Sequence, residues 1–357
     1  MKTAIVCFFS AFPVISGSGV VIYDFFKSWP NKKKKLFQMT QNFSKARKVD
    51  ETYIIYNKPI FKIIFLPLII FKIVKYFKNE KKKVLILEGA SWIFYSFFIL
   101  IFFKTFFKKI FIIYRSHSIE YEIRKNNSNF FIIFITKFFE KIVYNYSDIV
   151  TNVSSIEKFK AHKFYKRETL IFPNSIRVNY LKKIEEKPVN EIPKKFILFC
   201  GSYSYKPNQQ AIDFIIKKII PIISLKNISL IITGHSSVDF KNVNVFNLGL
   251  VSKNELKFLY NNCICLFVPI FEGYGTRIKI LEGLALGSNI LTTSKGIEGI
   301  SYPLNSKRIY LANTKKKMIT GINFFLQSKK RSSDIKMEYY SMEKNARNFY
   351  KEIIKSI

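Results

Sequence analysis

Gly273-Tyr274-Gly275-Thr276-Arg277-Ile278-Lys279-Ile280-Leu281-Glu282-Gly283-Leu284-Ala285-Leu286-Gly287 joins a glycine-bracketed loop to an amphipathic helix. Ile278, Leu281 and Ala285 fall at i, i+3 and i+7, which is one apolar stripe. Thr276 stands where an N-cap hydroxyl is expected. The first N–H groups of a helix have no intrahelical partners and carry partial positive charge, so a helix start attracts anions. Gly273 and Gly275 let the backbone come close to a phosphate. Arg277 and Lys279 add formal charge, and an arginine can grip two oxygens at once. Glu282, one turn or more into the helix, can accept hydrogen bonds from a diol. Diphosphate beside ribose is the ligand this arrangement suggests. From spacing alone, a glycine-capped loop before a core helix, with Arg277 and Lys279 merely solvated, explains it equally well.

Working outward, short apolar runs alternate with helical patterns, the signature of βα units and parallel sheets. Strands are expected at Lys2–Phe9, Lys83–Leu87, Ile110–Tyr114 and Asp148–Val153. Helices are expected at Val20–Trp29, Phe61–Phe77, Ser91–Phe107 and Asn129–Tyr146. The stretch Lys182–Lys195 is rich in Lys, Glu and Pro, lacks an apolar period and reads as a linker. A second series follows: a strand at Lys195–Cys200, a helix from Pro207 to about Pro221, and strands at Ile228–Thr233, Val243–Phe246, Ile264–Val268 and Asn289–Thr293. The expected organisation is α/β, with one Rossmann-like domain over 1–187 and a second over 188–340. A C-terminal helix over 341–357 would pack back on the first. Ligands of such sheets sit at the carboxyl ends of strands. The loops after Phe9, Cys200 and Ile270 occupy such positions.

A chain of 357 residues is comfortable for two domains, and 48% hydrophobic content belongs to a folded protein. The net charge of +35 points to nucleic acid or an anionic membrane surface. Heavy use of Lys, Ile, Phe, Asn and Tyr also fits an AT-rich genome, so charge alone decides nothing. No helix-turn-helix, zinc or RNA-binding aromatic motif supports a nucleic-acid partner. Cys7, Cys200, Cys263 and Cys265 lack zinc spacing and read as small core residues in a reducing compartment. Ala90–Phe103 is too short to span a bilayer, and Met1–Phe9 makes no convincing secretory signal. The expected location is cytoplasmic. The lysine-rich aromatic helices at Phe61–Lys78 and Phe102–Lys109 are suited to resting on the inner face of the cytoplasmic membrane, or equally to covering a sheet.

Pro269-Ile270-Phe271-Glu272 followed by Gly273 to Glu282 resembles the donor-binding motif of GT-B glycosyltransferases, in the retaining branch that builds bacterial surface glycans. The resemblance implies that the loop holds the donor diphosphate and that Glu282 takes the ribose hydroxyls. Phe199-Cys200-Gly201-Ser202-Tyr203-Ser204-Tyr205-Lys206-Pro207-Asn208 resembles the opening strand and loop of that family's C-terminal domain, which brings Gly201 and Lys206 into the donor set. Leu230–Gly234, Leu248–Val251 and Gly296–Ile300 resemble later pieces of the same domain. In the first half, Ser16-Gly17-Ser18-Gly19 resembles the family's glycine-rich loop, which puts Gly17 and Gly19 near the donor. His117 stands where the family often places a histidine near the transferred sugar. Glu140, Asp148 and Ser154 fit its E…SD…VS pattern, and Pro173-Asn174 fits the segment before the linker. Glu120 and Glu122, close to His117, read as solvated. One departure stands out: where many relatives carry a first glutamate seven residues before the second, this chain has Tyr274.

What the resemblance implies is a metal-independent, retaining transferase that moves a sugar from a nucleotide diphosphate donor to a lipid-linked glycan. It would have no bound cofactor, because basic side chains and a helix dipole neutralise the leaving diphosphate. The Tyr274 departure keeps open a non-catalytic GT-B homologue that binds glycan or a partner enzyme.

Overall fold

Runs such as Val84-Leu85-Ile86-Leu87 and Phe196-Ile197-Leu198-Phe199 are apolar at every position, as strands buried on both faces must be. The computed structural model describes residues 1–12, 16–40, 51–55, 61–107, 109–125, 128–177, 186–188, 191–234, 238–273, 275–303, 306–328 and 337–357. Tyr274, His235 and part of the 182–195 stretch lie outside these residues. Two units form: Met1–Asn174 with Met342–Ile357, and Ser175–Ser341.

The first unit opens with β1 (Lys2–Cys7), α1 (Gly17–Ser28), β2 (Lys34–Thr40), β3 (Glu51–Ile55), α2 (Phe61–Ile64) and α3 (Leu66–Phe77). It continues through β4 (Lys83–Gly89), α4 (Ile93–Phe106), β5 (Ile110–Ser116), α5 (Glu120–Lys125), α6 (Phe130–Tyr146), β6 (Ile149–Asn152), α7 (Ser155–Tyr165) and β7 (Leu170–Ile171). The second unit carries β8 (Phe196–Cys200), α8 (Lys206–Phe214), α9 (Ile220–Ile223), β9 (Ser229–Thr233), β10 (Val245–Asn247), α10 (Lys253–Asn262) and β11 (Leu266–Val268). It closes with α11 (Ile278–Ala285), β12 (Ile290–Thr292), β13 (Ile309–Leu311) and α12 (Lys315–Gln327). Last in the chain, α13 (Met342–Ser356) belongs to the first unit.

Both sheets are parallel. Their orders are β3-β2-β1-β4-β5-β6-β7 and β10-β9-β8-β11-β12-β13. Each order reverses at its first strand. The reversal points, β1 beside β4 and β8 beside β11, are where the crevices of doubly wound sheets open.

In the first unit, Ala4, Val6, Leu85, Leu87, Ile110 and Ile112 point to one face of the sheet, under α3, α4, α6 and α7. The alternate residues Ile5, Ile86 and Ile113 are also buried, and strand alternation turns them to the face covered by α1. There α13 packs on α1. Trp29 at the end of α1 meets Phe349 and Tyr350 edge-on at 6.2 and 5.2 Å, and its Nε1 donates to Thr3 Oγ1 at 3.2 Å.

The expected helix end at Pro221 is not a stop. A π-turn over Ile215–Ile219 shifts the hydrogen-bond register, and Pro221 then sits in the first turn of α9, where its missing N–H costs little. β2 and β3 were not expected from the sequence. Lys34, in a run of four lysines, starts β2 by folding its long side chain back. Its Nζ donates to the Trp29 and Lys27 carbonyls at 2.6 and 3.0 Å.

Buried carboxylates fasten several elements of this unit. Glu140 accepts from the Glu120 and Tyr121 N–H groups at the start of α5, both at 2.8 Å, and from the Tyr165 hydroxyl at 2.5 Å. Glu120 is not solvated: it accepts from the Ile93 N–H at 2.5 Å and pairs with Arg124 at 3.0 Å. Glu122 is half-buried and pairs with Lys160 at 2.6 Å. Asp148 accepts from the Ile112 N–H at 2.6 Å, and Ser154 caps α7. In this chain, then, the E…SD…VS residues hold elements in place.

Burial pushes the Glu140 carboxyl up to about 8 and that of Glu120 up to about 7, against the opposing hydrogen bonds. A carboxyl raised in the folded state binds its proton more tightly than in the unfolded chain. Its stabilisation is complete below the unfolded value near 4.5 and is lost as pH rises through the folded value. The contribution of Glu140 to stability should therefore fall between pH 5 and 8. Glu140→Gln, which keeps one acceptor and removes the titration, should flatten that part of the profile. Urea midpoints of both proteins across this range test it, and parallel profiles would count against it.

Candidate active site

The loops after β8 and β11 lie side by side at the carboxyl edge of the second sheet. Gly201, directly after β8, has φ +151°, and a Cβ there would lie 2.6 Å from Asn208 Nδ2 and 2.7 Å from Lys279 Nζ. Only glycine lets these side chains approach so closely. Asn208 is the bracket: its Nδ2 donates to the Ser202 carbonyl at 2.9 Å, and its Oδ1 accepts from Lys279 Nζ at 3.0 Å. The Lys279 ammonium also lies 4.3 Å from the Phe199 ring centroid. Burial lowers the Lys279 ammonium to about 8, and the charge of Arg277 adds to the effect.

Gly273 and Gly275 have φ +106° and +80°, the left-handed region that favours glycine. Burial also lowers the Arg277 guanidinium, partly offset by Tyr205 and Glu298. The guanidinium folds back on its own loop and donates to the Gly275 carbonyl. Thr276 is not the cap of α11. That place belongs to Arg277, which makes no side-chain cap hydrogen bond. The displaced Thr276 Oγ1 is buried and has no hydrogen-bond partner among the described residues. α8 likewise starts without a side-chain cap. By contrast α1, α6, α7, α10 and α12 are capped by Ser16, Asn129, Ser154, Ser252 and Thr314. α3, α4 and α9 also start without a side-chain cap. At the crevice of the second sheet Pro207 has no N–H, the Asn208 N–H donates to the Tyr205 carbonyl at 2.8 Å and the Ile280 N–H to the Arg277 carbonyl at 2.9 Å. What α11 offers an outside acceptor is therefore the very start of its first turn, at Ile278 and Lys279. Glu282 is half-buried, with Oε2 3.4 Å from the hydroxyl of the buried Tyr260. Lys206, at the start of α8, is exposed. The structure therefore gathers Gly201, Arg277, Lys279 and Asn208 into one cluster. Asn208 was missed as a site residue, although its place one turn after the Gly201 loop is visible in the sequence.

The carboxyl edge of the first sheet carries a second cluster. Glu88, one residue before the end of β4, stands opposite Arg115 of β5. Arg115 and His117 are two apart, so both side chains reach the same carboxylate. His117 Nε2 lies 2.7 Å from Glu88 Oε2, and Arg115 Nη1 donates to Oε1 at 2.5 Å. The Arg115 guanidinium is packed over Phe25, 3.6 Å from the ring centroid, and over Phe172. Burial by itself would raise the Glu88 carboxyl, but Arg115 and His117 outweigh it and hold it below the usual carboxylate range. Glu88 was not picked out from the sequence, where a lone acid ending an apolar strand was the available signal. Nearby, α1 begins at Gly17, and Ser16 Oγ accepts from the Gly19 N–H at 3.1 Å. A Cβ on Gly19 would come to 3.0 Å from the Ser10 carbonyl oxygen, so this glycine admits the loop after β1. Gly17 faces open space.

The sequence profile of the family described as "Glycosyl transferases group 1" matches residues 194–326. These residues are similar to a glycosyl transferases group 1 domain. The matched stretch contains the whole Gly201–Lys279 cluster. No curated protein matches the chain in sequence. In three dimensions it is similar to a glycosyltransferase from Rickettsia africae, with TM-score 0.67, 14% identity and coverage of 100% of this chain and 99% of that one. It is similar to the lipopolysaccharide outer core galactosyltransferase WaaB, with TM-score 0.62, 15% identity and full coverage of both chains. It is also similar to the UDP-GlcNAc 2-epimerase of Methanocaldococcus jannaschii, with TM-score 0.61, 11% identity and coverage of 99% and 100%. At these identities the likeness shows the fold, which is GT-B, built of two Rossmann-like units.

Proposed function

We propose that this chain is a retaining, metal-independent glycosyltransferase that moves a sugar from a nucleotide diphosphate donor to a lipid-linked glycan of the bacterial surface, working at the inner face of the cytoplasmic membrane. The observation that carries the donor reading is the start of α11 within the matched domain. An uncapped helix terminus, two cations and the orphaned Thr276 hydroxyl converge there beside Glu282. The N–H groups, Arg277 and Lys279 would bind the diphosphate, and Thr276 Oγ1 would gain its missing partner. The same groups would neutralise the charge that grows on the leaving diphosphate, so the chemistry has an electrophile without a metal. Glu282 would accept from the ribose hydroxyls, and His117 is assigned to the transferred sugar or its phosphate. The names of the similar transferases favour transfer to a glycan, while the epimerase shares the fold and makes the activity assay necessary.

Calorimetric titration with nucleoside diphosphate and with nucleoside tests the donor site. Glu282→Ala should lose roughly 1.5–3 kcal/mol, one to two decades in affinity, and Glu282→Gln less. Arg277→Ala should weaken diphosphate binding far more than nucleoside binding. If both alanine variants bind diphosphate like the parent, the donor site is misassigned. A non-catalytic homologue would bind donor and neither hydrolyse nor transfer it.

A further inference from the structure

The outer face of α6 presents Phe130, Phe131, Phe134 and Phe138 to solvent, at 82, 67, 61 and 52% exposure. Spacings of three and four put these rings on one side of the helix. Other phenylalanines continue the surface. Phe138 touches the ring of Phe139, which stacks on Phe97 of α4 at 4.1 Å and meets Phe98, itself 40% exposed. A soluble surface helix normally turns polar groups outward, so four exposed phenylalanines on one helix stand far outside ordinary scatter.

The charges that α3, α4 and α6 themselves turn outward are lysines, of which Lys104 pairs with Asp148 beyond the end of α6 at 2.7 Å. α3 and α4 contain no carboxylate, and the only one on α6, Glu140, is buried. Lys137 and Lys141, both exposed, follow the phenylalanines on the same side of α6. A second copy of the chain would set Lys137 and Lys141 against their own counterparts, with no carboxylate exposed on α6 to pair with them. An anionic bilayer complements both features, because rings enter the acyl boundary while lysines remain at headgroup level. Among the described residues no helix is long and apolar enough to cross a membrane, so α6 and α4 can only lie on one.

We propose that the α4–α6 face is a membrane-insertion surface for anionic lipid, held by the rings of Phe131, Phe134 and Phe138 and steered by Lys137 and Lys141. It rests on the membrane location proposed above, for which it names the surface, and is independent of the donor site. Full-length protein is sedimented with vesicles of phosphatidylcholine alone and of phosphatidylcholine with phosphatidylglycerol, at low and high salt. The combined variant Phe131→Ser, Phe134→Ser, Phe138→Ser should lower binding to the anionic vesicles at least about tenfold at both salt concentrations. Lys137→Gln with Lys141→Gln should lower it mainly at low salt. The conservative Phe134→Trp places an indole that brominated acyl chains should quench. Nucleoside diphosphate affinity should stay unchanged in every variant, which separates this surface from the donor site. Undiminished binding by the triple serine variant, an unquenched indole, or a parent dimer that the serine variant dissociates would each overturn the proposal.

Discussion

Lys279→Met will weaken diphosphate binding about a hundredfold and at the same time raise the melting temperature. The ammonium of Lys279 is held near 8 by burial, well under the ordinary lysine value. An unfolded chain keeps its lysine protonated up to about 10.4. Between these values the unfolded state binds more protons, so the stability of the parent should climb as pH rises from 8 towards 10, and below 8 the full cost of the buried charge is carried. One Nζ hydrogen bond and the Phe199 ring offset part of it. Methionine fills the same volume without the charge, and a net gain of about 1–2 kcal/mol is expected at neutral pH. The same substitution removes a cation from the anion site and should cost about two decades in diphosphate affinity. Melting curves at pH 7 and 10, with and without nucleoside diphosphate, read both effects. A variant that is less stable than the parent at pH 7, or that is still stabilised by diphosphate to the same extent, would refute this account of the lysine.

The second large effect is expected at His117. His117→Ala should lower turnover by about two orders of magnitude, the usual scale for loss of a positioned proton donor or hydrogen-bond donor. Stability should barely move. The histidine is 11% exposed, so water can replace it on Glu88, and Arg115 still balances the carboxylate. Glu88→Gln should behave in the opposite way, with a loss of about 3 kcal/mol or more, because it leaves the Arg115 guanidinium buried without its counter-charge. Comparison of kcat and urea midpoint for the two variants separates a reacting group from the group that holds it. Full turnover by a well-folded His117→Ala protein would remove His117 from the mechanism.

The central strands of both sheets were legible because burial on two faces leaves a continuous apolar run, as in Ile197-Leu198-Phe199 and Leu230-Ile231-Ile232. The exceptions are β2 inside the first sheet and the edge strands β3, β7 and β13, whereas the edge strand β10 was expected at Val243–Phe246. β7 has two residues and β13 three, and neither is fully buried, so no period can show. The glycine loop before α11 was legible because glycine, cation and helix start follow one another in sequence. Its cap was misread, since a threonine at a loop end has the composition of an N-cap whether or not its backbone turns that way. What a sequence conceals is pairing across strands. Glu88 lies 29 residues from His117 and Asn208 lies 71 from Lys279. Each pair meets only because the sheet order places their strands side by side.

The path of the chain carries a consequence for its synthesis. The first unit is left at Asn174 and completed only by α13, after the whole of Ser175–Ser341 has been made. A ribosome releases residues in order, so the seat of α13 around Trp29 stays open while the inserted unit emerges and folds. The nascent first half should therefore be the vulnerable intermediate, the one that chaperones hold. A fragment of residues 1–174 should aggregate when expressed alone, and supplying 342–357 as a separate peptide should recover soluble material. A fragment 1–174 that is soluble and cooperatively folded by itself would show that the returning helix is dispensable.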